Sequence, residues 1–243
     1  MSARFLGVVC GLQSEAAAVR ACAGSTPIRV GVSGARAAQA RAIAEGFCAD
    51  GAAAILSVGV SGGLDPALRP GALIVAARVA SQGGDLYDPA WADLTDAAIA
   101  PHTDQHSTHG DASDAARVLC VYGSDVIVAS PEEKAALFAR YGAAAVDMES
   151  HGAAVAAKVA GSPFIAIRAV ADPAERAMPP AALTAVREDG ATDLGAVVRS
   201  LLGAPTQLPA LLRLGVDARA ADQRMRTGLG GLLGRLALRL DLG

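Results

Sequence analysis

Lysine is almost missing from this 243-residue chain: of its 21 basic residues only Lys134 and Lys158 are lysines, the rest arginine. Alanine and arginine abound beside it, a pattern that reads as coding bias rather than chemistry. Aromatic residues make up 3% and charged residues 19%. A net charge of −3 supplies no basic face of the kind that binds nucleic acid. Four cysteines, Cys10, Cys22, Cys48 and Cys120, have neither C-x-x-C nor metal-type spacing, so buried reduced thiols and a cytoplasmic setting are expected. No uncharged apolar run reaches the length of a membrane span, and the run Phe5–Leu12 is too short for a signal peptide. Disorder is excluded for most of the chain, because 52% of its residues are hydrophobic.

What remains is short apolar runs alternating with Ala-rich stretches of helical character. Strands are expected at Phe5–Gly11, Ile28–Ser33, Ala53–Val60, Leu73–Val79, Val118–Tyr122, Asp125–Ala129, Ala144–Val146 and Phe164–Val170. Helices are expected near Glu15–Cys22, Ala35–Cys48, Pro131–Tyr141, Glu149–Ala160 and Ala181–Leu202. Ser130-Pro131-Glu132-Glu133 has a capping serine, proline at the first helical position and acids in the first turn. Alternating strands and helices imply a layered α/β domain, and two strand pairs without an intervening helix imply a mixed sheet. The polar stretch 81–116 reads as a long loop or lid. A division is expected between 1–205, the α/β domain, and 206–243, a Leu/Arg-rich helical tail.

In such folds ligands sit beyond the carboxyl ends of the strands. Four turns place polar residues or glycines there: Leu12-Gln13-Ser14-Glu15, Ser33-Gly34-Ala35-Arg36, Gly59-Val60-Ser61-Gly62-Gly63 and Ala171-Asp172-Pro173. Each alone is an ordinary strand-to-helix turn. Glu15 is either a first-turn acid favoured by the helix dipole or a carboxylate facing a ligand. Exposed N–H groups at Ser33-Gly34 suit an anion, and Arg36 would add a fork for phosphate. His102, His106 and His109 with Asp104 and Asp111 have irregular spacing, and no metal is expected there.

The sharpest signal is Ala145-Val146-Asp147-Met148-Glu149-Ser150-His151, two acids around a methionine where a strand gives way to a helix. Taken with Gly59-Val-Ser-Gly-Gly-Leu-Asp-Pro66 and Arg168-Ala-Val-Ala-Asp172, it resembles the nucleoside phosphorylase and nucleosidase superfamily. There G-x-[AS]-G-G-L-x-P, [DE]-M-E and R-x-[IV]-[SA]-D segments follow in this order. Within it, Val146–His151, Pro163-Phe164, Arg168–Ala174, Met178-Pro-Pro180 and Thr206-Gln-Leu-Pro209 look most like the hopanoid-associated phosphorylases, which are thought to act on adenosylhopane. The resemblance implies a three-layer α/β/α fold around a mixed, partly barrel-like sheet, and homo-oligomers are common in the superfamily.

The resemblance also implies roles. Asp172 would protonate the leaving base, and Glu149 would accept the ribose hydroxyls with Met148 against the sugar. Ser61 and Gly62 would line the substrate. Ser33, Gly34 and Arg36 would hold inorganic phosphate as co-substrate, with no other cofactor. Glu15 stands where hydrolytic members keep the carboxylate that activates water, which leaves hydrolysis open beside phosphorolysis; a catalytically silent nucleoside- or lipid-binding protein is a third reading. Two departures stand out: Ala171 replaces a serine that many members carry before the acid, and Val60 replaces a phosphate-binding serine. His151 is expected on a helix face near the ribose. The leucines 229, 232, 233, 236 and 240, with Arg226, Arg235 and Arg239, form a basic amphipathic stripe in the tail. It is expected to pack on the domain or a subunit, or to touch a membrane surface or lipid chain.

Overall fold

The computed structural model describes residues 4–99 and 116–242; the histidine and aspartate cluster at 102–111 lies outside the described residues. Seven strands form one sheet: β1 (Leu6–Cys10), β2 (Ile28–Val32), β3 (Ala54–Gly63), β4 (Leu73–Ala80), β5 (Arg117–Gly123), β6 (Ala145–Asp147) and β7 (Phe164–Asp172). Their order is β2-β1-β3-β6-β5-β4-β7, and β7 pairs again with β3, so the last five close into a barrel with β1 and β2 as an extension. β1, β2, β3 and β7 run parallel, whereas β6 opposes β3 and β4 opposes β7. The mixed sheet expected from the sequence is therefore present.

Residues on successive strand positions enter different cores, as period-two geometry requires. Leu6, Val8, Leu56, Val58, Ile165 and Ile167 pack on one face with residues of α1 (Gln13–Cys22) and α8 (Leu208–Arg239). Val9, Ile55, Phe164 and Ala166 pack on the other, against α2 (Ala37–Ala49) and α5 (Ser150–Ala160). This is the expected three-layer α/β/α arrangement. All nine residues of β7 are buried, consistent with a strand covered on both faces.

The helix boundaries follow local chemistry. α4 (Pro131–Tyr141) begins at a reciprocal Ser130–Glu133 capping box and stops at left-handed Gly142, φ 59°. Between β4 and β5, part of the expected loop is instead helical: α3 (Pro89–Ile99) buries Trp91, Leu94 and Ala98 on one face, and the indole donates to the Ser162 carbonyl at 3.2 Å. The apolar spacing within a polar stretch was the signal for it. Asp125–Ala129 is not a strand; the Ser124 hydroxyl turns the chain by donating to the Val126 carbonyl at 2.7 Å. The expected helix Ala181–Leu202 is broken into α6 (Pro180–Leu183) and α7 (Leu194–Gly203), because Gly190 at φ 77° makes a tight turn between them.

Beyond a short turn at Pro205–Gln207, α8 runs unbroken through Gly228, Gly230, Gly231 and Gly234. Its second half belongs to the core. Ala221, Met225, Leu229, Leu232, Leu233 and Leu236 are buried in the same cluster as β1, β3 and β7. Gly228 permits this approach, since a Cβ there would lie 2.6 Å from a Leu73 methyl. The leucine stripe Leu229–Leu236 therefore faces the domain; exposed apolar side chains lie before it, at Leu194, Val198 and Leu202 on α7 and Leu208, Leu212 and Val216 on α8, and after it at Leu238. Among the described residues no helix is long and apolar enough to cross a membrane.

Candidate active site

β3 organises the site because it touches three strands at once. Gly59 is paired with Arg168, while Gly62 is paired with both Val146 of β6 and Asp172 of β7. A register shift between Ser61 and Gly62 bends the strand there, and such bulges re-aim side chains. β6 runs back along β3, so the chain leaving it at Asp147 carries Glu149 toward the carboxyl end of β1.

Glu15 enters from the first turn of α1. Its carboxylate accepts from the backbone N–H groups of Gly11 and Leu12, both at 2.9 Å, and of Val60 at 2.8 Å. It is 4% exposed. Two glycines make room: a Cβ at Gly59 would lie 2.6 Å from Glu15 Oε1, and one at Gly11 would lie 2.5 Å from Glu149 Oε1. Gly11 thus separates two buried carboxylates. Burial pushes the Glu15 carboxyl up, against the pull of its N–H donors and Arg168. Burial pushes Glu149 up to about 8, with the charges of Asp147 and Glu15 adding to the rise and Arg168 opposing it.

Arg168 is the counter-ion of this group and is fully buried. Its Nε donates to Asp147 at 2.8 Å, and a terminal nitrogen donates to the hydroxyls of Ser57 at 2.6 Å and Ser150 at 3.0 Å and lies 3.4 Å from Glu149. Asp147 also accepts from the backbone N–H groups of Glu149 and Ser150 at 2.9 and 2.7 Å, which fixes the turn that presents Glu149. Although burial opposes it, the Arg168 charge and these donors hold Asp147 below the usual carboxylate range.

Asp172 closes the other side, 4% exposed. A Cβ at Gly62 would lie 3.3 Å from its Oδ1. Its Oδ2 is bonded to the ammonium of Lys134, which is wholly buried in the first turn of α4. Burial pushes the Asp172 carboxyl up and the Lys134 ammonium pulls it back, the rise winning. Ser61, between Val60 and Gly62, is 5% exposed and its hydroxyl has no partner among the described residues. A buried donor left open beside such carboxylates is a place for a ligand atom.

The structure thus brings Glu15, Ser61, Gly62, Glu149 and Asp172 to one stretch of β3, with Met148 in the Asp147–Glu149 turn. The turn bearing Ser33, Gly34 and Arg36 adjoins Gly11, whose carbonyl accepts from the Ala35 N–H at 3.3 Å. Ser33 is fully buried, its hydroxyl donating to the Cys10 carbonyl at 3.3 Å. A Cβ at Gly34 would lie 2.0 Å from the Glu188 carbonyl, and Arg36 donates to that same carbonyl at 3.3 Å. The segment Glu188–Gly190 covers this turn, with Gln13 bonding to the Asp189 and Gly190 carbonyls. His151 lies at the end of β5, its Nε2 3.0 Å from an Asp125 oxygen and its buried Nδ1 without a partner among the described residues.

The model of one family, described as the phosphorylase superfamily, matches residues 7–203. The chain belongs to the phosphorylase superfamily. Solved structures agree on the fold. Futalosine hydrolase of Helicobacter pylori strain 26695 superposes with a TM-score of 0.69 at 16% identity, covering 96% of this chain and 98% of its own. A 5′-methylthioadenosine/S-adenosylhomocysteine nucleosidase from Colwellia psychrerythraea 34H, in complex with adenine, gives 0.67 at 14% identity, covering 97% and 96%. The corresponding nucleosidase from Neisseria meningitidis, in complex with methylthio-immucillin-A, gives 0.68 at 15%, covering 94% and 98%. No curated protein sequence matches the chain.

Two functional groups escaped the sequence reading. Arg168 stood in a recognised motif but without its role as counter-ion to Asp147, and Lys134 was set aside with the lysine shortage as coding bias. The signal for Lys134 was available: a chain that uses arginine almost throughout keeps a lysine in the acidic first turn of a helix.

Proposed function

We propose that this superfamily member cleaves the N-glycosidic bond of a 5′-substituted adenosine, adenosylhopane by preference, with phosphate as acceptor, releasing adenine and a phosphoribosyl product. The observation that carries the reading is the convergence of Asp172, Glu149 and Glu15 on one stretch of β3, around the open hydroxyl of Ser61. Breaking this bond builds positive charge on the ribose ring and negative charge on the base. Asp172, whose carboxyl is raised by burial, donates a proton to N7 of the base, help that is typically worth 10²–10⁴ in rate. Glu149 takes the ribose hydroxyls, and its ionised form faces the developing cation. The hopanoid assignment rests on the motif resemblance at Val146–His151, Met178–Pro180 and Thr206–Pro209. Exposed Leu202, Leu208, Leu212 and Val216 offer an apolar face for a second copy of the chain or a lipid surface.

Hydrolysis is the second reading, and two observations favour it. Glu15 is held rigidly by three N–H groups beside Ser61, as a base for an attacking water would be. The Ser33–Arg36 turn, meanwhile, is closed by Glu188–Gly190. Chromatography of the products from adenosylhopane and from 5′-methylthioadenosine, each with and without phosphate, separates the readings. Phosphate-dependent adenine release from adenosylhopane supports the first; equal release without phosphate supports hydrolysis. Adenosine-analogue binding without turnover would leave a binding protein.

A further inference from the structure

Lys134 is a fully buried cation in the first turn of α4. A cation in the first turn of a helix opposes the helix dipole, and a lysine with no exposed surface has lost all its hydration. Its three ammonium hydrogens are all used: one on Asp172 Oδ2, one on the Pro173 carbonyl at 3.0 Å and one on the Arg176 carbonyl at 2.9 Å. Those acceptors converge as a tripod, which suits a compact ammonium and not a planar guanidinium, and this explains a lysine in an arginine-rich chain. The turn that supplies the carbonyls is itself anchored, since Arg176 is ion-paired with Asp217 of α8. The residue before the acid is Ala171, so the serine that steers the acid in many superfamily members is absent.

We infer that Lys134 is a positioning residue for Asp172, replacing that missing serine. It clamps Oδ2, leaves Oδ1 as the atom that carries the proton, and balances the carboxylate left behind. The proton passes from Oδ1 to N7 of the base as the bond from ribose to N9 breaks and its electron pair stays on the base. The pair Asp172–Lys134 goes from one positive charge to none, so no isolated buried anion is created. This rests on the proposed glycosidic reading, but the Asp172–Lys134 linkage itself is measurable without turnover.

The charged groups facing Asp172 are Lys134 from α4, Arg176 from the following turn and Asp217 from α8; the two cations lower its titration and Asp217 raises it. Replacing Lys134 by methionine removes an opposite charge in direct contact, so Asp172 should titrate higher, by roughly 1–3 pH units. The experiment is carbon-13 NMR of aspartate-labelled protein, with the Asp172 carboxyl assigned through Asp172→Asn, in wild type, Lys134→Met, Lys134→Gln and Lys134→Arg. Midpoints raised in Met and Gln support the inference, and Arg, which restores the charge but not the tripod, should return the midpoint toward wild type without restoring kcat. In the same variants the basic limb of adenine release from 5′-methylthioadenosine should move up with the NMR midpoint, while kcat at its plateau falls. An unmoved midpoint and limb with lowered kcat would make Lys134 merely structural and overturn the inference. If the neutral variants do not fold, the Lys134 ammonium nitrogen resonance of the wild type decides: it must shift as Asp172 titrates, and constancy overturns the claim. Absence of adenine release by wild type would refute the glycosidic reading alone.

Discussion

Removing the Arg168 guanidinium should destabilise the fold severely at alkaline pH and less so in acid. Arg168→Met leaves Asp147, Glu149 and Glu15 buried together without a cation, and deprives the Ser57 and Ser150 hydroxyls of their donor. Breaking a buried pair by deleting one partner costs about 3–5 kcal/mol, against a total stability of about 5–15 kcal/mol for a domain. The pH dependence has a definite sign. In wild type Asp147 is held below its ordinary value, so it stabilises the fold above the usual carboxylate range and loses that contribution as pH falls. In the variant only the Glu149 and Ser150 donors still oppose burial, so Asp147 titrates higher than in wild type. The carboxyl then takes up a proton on acidification, relieving the uncompensated charge, and each unit of displacement is worth about 1.4 kcal/mol. Urea unfolding at pH 8 and pH 5, followed by circular dichroism for both proteins, measures this. The loss should be about 3–5 kcal/mol at pH 8 and smaller at pH 5. A loss below about 1 kcal/mol, or one that is equal at both values, would refute the assignment of Arg168 as the counter-ion.

Three further outcomes are expected. Gly59→Ala drives a methyl against the Glu15 carboxylate, which cannot retreat without breaking N–H bonds, so stability should fall by about 2–4 kcal/mol in thermal or urea unfolding and adenine release should fall with it. A ligand with a fixed positive charge at the sugar position should bind more tightly as pH rises through about 8, where Glu149 ionises, and calorimetry of Glu149→Gln should show that dependence gone. Leu233→Ala should cost about 2–5 kcal/mol of unfolding free energy as a core cavity, while Leu212→Ala, on the exposed part of the same helix, should stay within about 0.5 kcal/mol.

The layered α/β architecture was legible because the buried strands are short apolar runs alternating with Ala-rich helical stretches, one of which opens at a clear Ser130–Glu133 cap. Barrel closure was legible only through the motif resemblance and not from local pattern, since it depends on β3 pairing with β1, β6 and β7 along different parts of its length. Asp172, Glu149 and Glu15 were legible from motifs at strand ends. The partners that set their protonation were harder: Arg168 and Lys134 reach them across 21 and 38 residues of sequence from Asp147 and Asp172 respectively. In the tail, local pattern left two readings open. Leucines at helical spacing between arginines fit a membrane-facing helix and a core helix equally, and only the sheet packed against Leu229–Leu236 shows which face is covered.

The most direct measurement is the rate of adenine release from 5′-methylthioadenosine by wild type and by Asp172→Asn, with folding of both confirmed by circular dichroism. The aspartic acid's proton is expected to be worth about 10²–10⁴ in rate, so the asparagine protein should release adenine at least ~10²-fold more slowly while still binding adenine. Equal rates in the two proteins would contradict the account.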